Sequence, residues 1–128
     1  MNNITRDIIM RKETQQIMTA FLKRKPCHRK NSSTDGEVVT LFGNKIAWRE
    51  PDGSISMWLC GHGTPTTRDR LNGLCLMLMD KKPFHQKAGA QYYDDKEIST
   101  TQVITVHTLI ESSIDEQRAW YDTSAELT

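Results

Sequence analysis

The sequence predicts an α+β fold: a mostly antiparallel sheet of five to six short strands, with a central capped helix packed on one face. Three short segments of strand-like composition follow one another between residues 37 and 60, and the turns between them are too short for parallel crossovers. A helical stripe follows at residues 67–80, and the β-branched run from Gln102 to Ile110 predicts a later strand. We also expect an N-terminal and a C-terminal helix.

The first 36 residues are expected to lie outside the main domain. Residues 4–25 have an uneven helical pattern, and Pro26 biases the preceding residue away from helix. Residues 26–36 are basic and polar, which is typical of an exposed linker. We therefore divide the chain into an N-terminal helix (1–25), a linker (26–36), an α+β domain (37–123) and a frayed tail (124–128).

Turn signals and alternation define the predicted sheet. Strands are expected at Glu37–Phe42, Lys45–Glu50 and Ser54–Cys60, and Asp52-Gly53 favours a hairpin between the last two. In the third strand Ile55, Met57 and Leu59 share one face, which we expect to point inward. Trp58 then lies on the opposite face and is predicted to be an exposed aromatic that meets a partner.

The central helix is predicted to begin near Thr67, because Thr66 and Asp69 have the spacing of a capping box. Its inward stripe is Leu71, Leu74, Cys75 and Leu78. A second hairpin is expected from Phe84–Lys87 and Gln91–Tyr93. A second capping box, at Ser113 and Glu116, predicts the C-terminal helix, which ends near Thr123.

Composition bounds the class of protein. A chain of 128 residues with 37% hydrophobic and 26% charged residues fits one globular domain, and we expect no membrane segment and no secretory signal. Three cysteines, an odd number, favour reduced thiols in a cytoplasm. Residues 1–30 carry eight Lys/Arg against two acids, whereas residues 91–128 carry two Lys/Arg against eight acids. The basic end can attract an anionic partner, or the two ends can pair with each other, within one chain or between copies in a homo-oligomer.

Four short stretches carry a resemblance to a known family: Gly43-Asn-Lys-Ile-Ala47, Thr64-Pro-Thr-Thr-Arg-Asp-Arg-Leu-Asn72, Phe84-His-Gln-Lys87 and Gln91-Tyr-Tyr93. Together they are similar to a family of small uncharacterised bacteriophage proteins, over roughly residues 37–110. The resemblance implies a viral origin and action in a host cytoplasm. It brings no catalytic residues with it.

The loop before the central helix is the first candidate site. Its glycines permit close approach to a ligand, and the helix N-terminus offers backbone N–H groups to an anion. The predicted binding residues are His62, Thr66, Thr67, Arg68 and Arg70. The alternative is a structural loop whose arginines pair with acids of the same chain.

The basic stretch is the second candidate site. Lys23, Arg24, Lys25, Arg29 and Lys30 are predicted to contact nucleic-acid phosphates or an acidic partner.

No pattern indicates catalysis, a metal or a cofactor. Cys27-His28 and Cys60 with His62 lack the spacing of zinc knuckles, and no pair of carboxylates has the placement that general acid and base catalysis needs. We therefore expect a non-enzymatic binding protein that engages and modulates a host protein. The alternative is an accessory protein that binds nucleic acid.

Overall fold

The computed structural model describes residues 11–107. They form two helices, α1 (Lys12–Leu22) and α2 (Pro65–Met79). The first five strands lie before α2: β1 (Cys27–His28), β2 (Ser32–Thr34), β3 (Val38–Leu41), β4 (Asn44–Arg49) and β5 (Ile55–Met57). Four strands follow it: β6 (Phe84–Lys87), β7 (Ala90–Tyr93), β8 (Lys96–Ile98) and β9 (Ile104–Val106).

Six strands form one sheet in the order β1-β2-β3-β4-β5-β9, and every neighbouring pair is antiparallel. The prediction of an α+β fold with an antiparallel sheet is confirmed. In β4, Ala47 pairs with Val39 and Lys45 pairs with Thr40, so Ile46 is the extra residue of a β-bulge. The bulge explains why two consecutive residues, Ile46 and Ala47, are both buried.

Both helices bury their apolar sides in one core with this sheet. The inward assignment of Ile55, Met57 and Leu59 is confirmed, and Leu71, Leu74 and Cys75 of α2 are fully buried. Leu78 of the predicted stripe is only partly buried against that core.

The expectation that the first helix is an appendage joined by a linker is wrong. Ile17, Met18 and Phe21 of α1 have no exposed surface and belong to the central core. Residues 27–28 and 32–34, inside the expected linker, are β1 and β2 of the main sheet. Their polar sequence lacks the apolar alternation that predicts a strand. They can form strands without it, because the sheet edge is stabilised by backbone pairing and by the helix that covers it.

Helix α1 ends in a Schellman motif. The N–H of Arg24, which has φ +57°, bonds to Phe21 O, and the N–H of Lys25 bonds to Ala20 O. Gly36 packs against this turn, since a Cβ there would lie 2.7 Å from the carbonyl carbon of Arg24. The basic residues after the helix therefore have a defined backbone path.

Helix α2 begins two residues earlier than predicted. Its N-cap is Thr64, whose hydroxyl accepts from the Thr67 N–H at 3.2 Å, and Pro65 occupies the first helical position. The predicted capping box of Thr66 and Asp69 is wrong, because proline has no N–H to satisfy and its fixed φ suits the first turn.

The predicted second hairpin, β6 with β7, belongs to a separate three-stranded sheet completed by β8, which the sequence pattern did not reveal. Asn72 of α2 holds this sheet, since its amide donates to Phe84 O and accepts from Phe84 N–H, both at 2.8 Å. The predicted C-terminal helix, the end of the strand predicted to reach Ile110, and residues 4–10 lie outside the described part of the chain.

Candidate functional site

The glycine loop that precedes α2 is held by internal bonds at its backbone. Gly61 N–H bonds to Thr100 O and His62 N–H bonds to Leu59 O, both at 2.9 Å. The Thr67 N–H is taken by the Thr64 hydroxyl and the Arg68 N–H by Thr64 O. Two of the donors predicted for an anion are thus already used.

Arg70 is a buried connector between helices and sheet. Its side chain is 3% exposed and pairs with Glu13 Oε2 at 3.1 Å and with Asp69 Oδ2 at 2.7 Å. It also donates to Ser32 Oγ at 2.8 Å and to Thr14 Oγ1 at 2.9 Å. Every nitrogen of the guanidinium therefore has a partner from the same chain.

Glu13, the partner of Arg70 on α1, has a lowered pKa. Burial by itself raises this pKa, but hydrogen bonds from Ser32 and from the Asn31 N–H, together with the charge of Arg70, more than offset it. The carboxylate is thus ionised at neutral pH and balances the buried arginine.

Arg68 joins the loop to the second sheet. Its Nη1 donates to Gly63 O, Gln86 Oε1 and Gln91 Oε1 at 3.0 to 3.1 Å. Gly63 lies so close to Gln91 that a Cβ would be 2.7 Å from the amide nitrogen of that side chain. These contacts favour the structural alternative for the loop, although His62 and the partly exposed Thr66 remain at the surface.

A basic groove lies between β1 and the face of α1 that is not buried in the core. We define the groove by its ten lining residues, which surround a volume of about 560 Å³. They are Lys12, Gln15, Gln16, Thr19, Ala20, Lys23, Lys25, Pro26, Cys27 and Arg29. Four are cationic and none is acidic, so the groove presents a positive surface with neutral hydrogen-bonding groups between the charges.

The groove brings together three of the five basic residues predicted as contacts: Lys23, Lys25 and Arg29. Arg29 is oriented by bonds to Gln16 Oε1 and His28 O, both at 2.7 Å. Arg24 instead lies 3.7 Å from Glu37. Lys30 is exposed in the turn between β1 and β2.

Lys12 was missed by the sequence reasoning, although a signal was present. It precedes Lys23 by eleven residues, about three helical turns, so the two project from the same side of α1. Gln15, Gln16 and Thr19 continue that polar stripe, opposite the buried Ile17 and Phe21.

Trp58, predicted to be exposed, is half-buried. Its Nε1 donates to Lys45 O at 2.8 Å, and its ring meets Trp48 edge to face at a centroid distance of 6.3 Å. The main sheet therefore carries an aromatic pair on the face opposite the core, and Trp58 keeps only part of its surface for a partner.

Comparison with protein families gives a match over most of the chain. The family model described as Kyanoviridae Gp96 protein matches residues 10–111, which is 102 of the 128 residues. This chain belongs to the Gp96 family. The predicted resemblance to a small bacteriophage family is thus confirmed, and the Gp96 match also includes α1 and the basic stretch, which the resemblance had left out.

Neither the curated proteins nor the solved structures contain a match to this Gp96 family member. Within residues 11–107, no three His, Cys, Asp or Glu side chains are grouped as metal ligands. Neither described helix has the length and apolar character needed to cross a membrane.

Proposed function

We propose that this phage protein is a non-enzymatic accessory protein that binds nucleic acid through the basic groove, in the cytoplasm of the host. The observation that supports this proposal is the composition of the groove. Four cationic side chains line it and none of its lining residues is acidic. This was the alternative reading of the sequence, and the three-dimensional clustering of Lys12 with Lys23, Lys25 and Arg29 moves it to first place.

The groove suits a phosphate backbone for three reasons. Lysine and arginine side chains neutralise phosphates and release counterions, which gives affinity without sequence selection. Gln15, Gln16 and Thr19 add neutral groups that can donate to phosphate or sugar oxygens between those charges. Arg29 is already held in place by Gln16 and His28 O, so little conformational freedom is lost when it binds.

A titration at two salt concentrations tests this function. Labelled single-stranded and double-stranded DNA and RNA are titrated with the full chain at about 50 and 200 mM salt, a range over which binding through several phosphates weakens steeply. The triple variant Lys23→Gln, Lys25→Gln, Arg29→Gln should bind more weakly and show a shallower salt dependence.

The matched control removes the same charge elsewhere. Lys82, Lys87 and Lys96 are exposed and do not line the groove, so changing all three to Gln alters net charge equally. This control should retain most of the affinity. Equal loss in both triple variants would show that net charge, not the groove, attracts the nucleic acid, and absence of binding at low salt would reject the function.

A host protein with an acidic segment is the second candidate. Strand β1 comes first in the sheet order, and no described strand pairs with its outer edge, which lies beside the cations of the groove. An extended acidic peptide can pair with such an edge while its carboxylates meet the lysines. Pull-down from nuclease-treated host lysate separates the two, because a partner that survives nuclease and is lost with the groove triple variant is a protein.

The acidic residues 91–128 of a second copy are a competing occupant of the groove. Sedimentation velocity at low and high salt tests this, since association through opposite charges should disappear at high salt.

A further inference from the structure

Phe42 occupies an unusual position at the tip of the β3–β4 hairpin. Leu41 pairs with Asn44, so Phe42 and Gly43 form a two-residue turn with φ of +53° and +81°. Such a turn requires positive φ at both residues and favours asparagine or aspartate followed by glycine. A bulky aromatic residue in this conformation is strained.

The fold gains little from the Phe42 side chain. It is 64% exposed, the most exposed large hydrophobic residue in the described part of the chain. It is not among the residues packed on the core, and within residues 11–107 its ring makes no aromatic or cation contact. Because the backbone of Phe42 is strained and its ring is exposed, we expect this residue to have a role other than stabilising the fold.

The neighbouring hairpin tip is basic. Arg29 and Ser32 exchange backbone hydrogen bonds at 2.8 and 3.1 Å, which leaves Lys30 and Asn31 as the turn between β1 and β2. The Phe42 N–H donates to Asn31 O at 2.7 Å, so the two tips lie side by side at one end of the sheet. Arg29, which lines the basic groove, directly precedes the turn of Lys30 and Asn31, so one end of the groove lies near the tip that carries Phe42.

The carboxylate of Glu13, which contacts the turn between β1 and β2, does not oppose an anion at this point. Glu13 Oε2 accepts from the Asn31 N–H at 3.2 Å, and the same oxygen lies 3.1 Å from Arg70. Its charge is balanced within the protein. The tips therefore offer an exposed ring beside Arg29 and Lys30.

We infer that Phe42 is a stacking platform for an unpaired base of a single strand whose phosphates run along Arg29 into the basic groove. This inference rests on the proposed function and narrows its ligand to single-stranded nucleic acid. Proteins that bind single strands combine a cationic track with aromatic rings on which bases stack. In a duplex both faces of an internal base are already stacked, so Phe42 gains nothing there.

The test compares a normal with an abasic oligonucleotide. A labelled thymidine dodecamer and an abasic strand with the same number of phosphates are titrated with wild type, Phe42→Ala and Phe42→Trp. Wild type and Phe42→Trp should prefer the thymidine strand, and Phe42→Ala should bind it about 5- to 150-fold more weakly than wild type, the usual range for one stacked base. The preference for thymidine over the abasic strand should shrink in Phe42→Ala.

Val103→Ala is the matched control, because within residues 11–107 Val103 is the second exposed large hydrophobic residue, at 45%. It should bind both strands like wild type. The stacking inference would be overturned if binding depends on salt but is equal for the two strands and unchanged in Phe42→Ala. That result would still agree with phosphate binding in the basic groove. Absence of binding to either strand would overturn the inference. If the duplexes and RNA also fail to bind at low salt, the proposed function is overturned with it.

Phe42→Asn distinguishes a binding role from a structural one. Asparagine tolerates positive φ, so this variant should raise the melting temperature while it weakens binding to the thymidine strand as much as Phe42→Ala does. A lowered melting temperature would show that the ring stabilises the fold, and unchanged binding would reject the platform.

Discussion

At the residue scale, Thr64 and Thr66 show how a cap depends on backbone position. Only the Thr64 hydroxyl accepts from the N–H of Thr67. Thr64→Ala should therefore lower the free energy of unfolding by about 0.5 to 2 kcal/mol. Thr66→Ala, the control two residues further along the chain, should change this free energy by less than about 0.5 kcal/mol. Urea denaturation of the two variants measures both values, and a larger loss for Thr66→Ala would restore the capping box predicted from the sequence.

The three cysteines should differ in reactivity. Burial raises the pKa of Cys75 to about 12, so its thiolate is scarce at pH 8 and its sulfur is shielded by the core. Cys27 and Cys60 are partly exposed. Brief treatment with iodoacetamide should add label to Cys27 and Cys60 in the native protein and to all three cysteines in denaturant, as read by mass spectrometry. Rapid native labelling of Cys75 would contradict its placement in the core.

At the element scale, Arg70 links α1, α2 and β2. Arg70→Met keeps much of the apolar stem but leaves Glu13 and Asp69 without their buried cation. We expect a loss of about 3 to 5 kcal/mol in the free energy of unfolding. Arg24→Met is the control, because its exposed pair with Glu37 at 3.7 Å should contribute only about 0 to 1 kcal/mol. Equal losses in chemical denaturation would mean that burial of the ion pair has no special effect.

Glu13 makes the ion pair between α1 and Arg70 of α2 sensitive to acid. Its pKa in the folded protein is lowered from the ordinary value of 4.5. Its stabilising contribution is therefore complete above about pH 4.5 and is lost as the pH falls through the lowered pKa. The difference in unfolding free energy between wild type and Glu13→Gln should be constant from pH 7 to 5 and shrink below that. A difference for Glu13 that grows as the pH falls would contradict the lowered pKa of this carboxylate.

At the scale of the whole molecule, α1 is part of the core. Phe21→Ala should cost about 3 to 5 kcal/mol, because the ring is fully buried and its removal leaves a cavity. That is a large fraction of the 5 to 15 kcal/mol that typically stabilises a domain. Phe42→Ala is the matched control, since it removes the same ring from an exposed site, and it should leave thermal stability almost unchanged. A small effect of Phe21→Ala would mean that α1 is an appendage after all.

The sequence by itself determined the elements whose signals are local. Asp52-Gly53 lies between the paired strands β4 and β5, the alternation of Ile55, Met57 and Leu59 fixes their inward face, and Pro26 limits α1. These features arise from backbone preferences and from the periodicity of side chains within a few residues, so they can be read without knowing the rest of the fold.

Only the tertiary structure decided where the polar segments lie. Ser32-Ser33-Thr34 has no apolar pattern, and it becomes a strand because β3 pairs with it and Arg70 reaches Ser32 from another element. For the same reason Arg68 and Arg70 looked available to a ligand, while their partners came from distant parts of the chain. The basic groove combines Lys12 with Arg29, and the surface at Phe42 combines two hairpins. Such juxtapositions depend on long-range packing and pairing, which local periodicity does not encode.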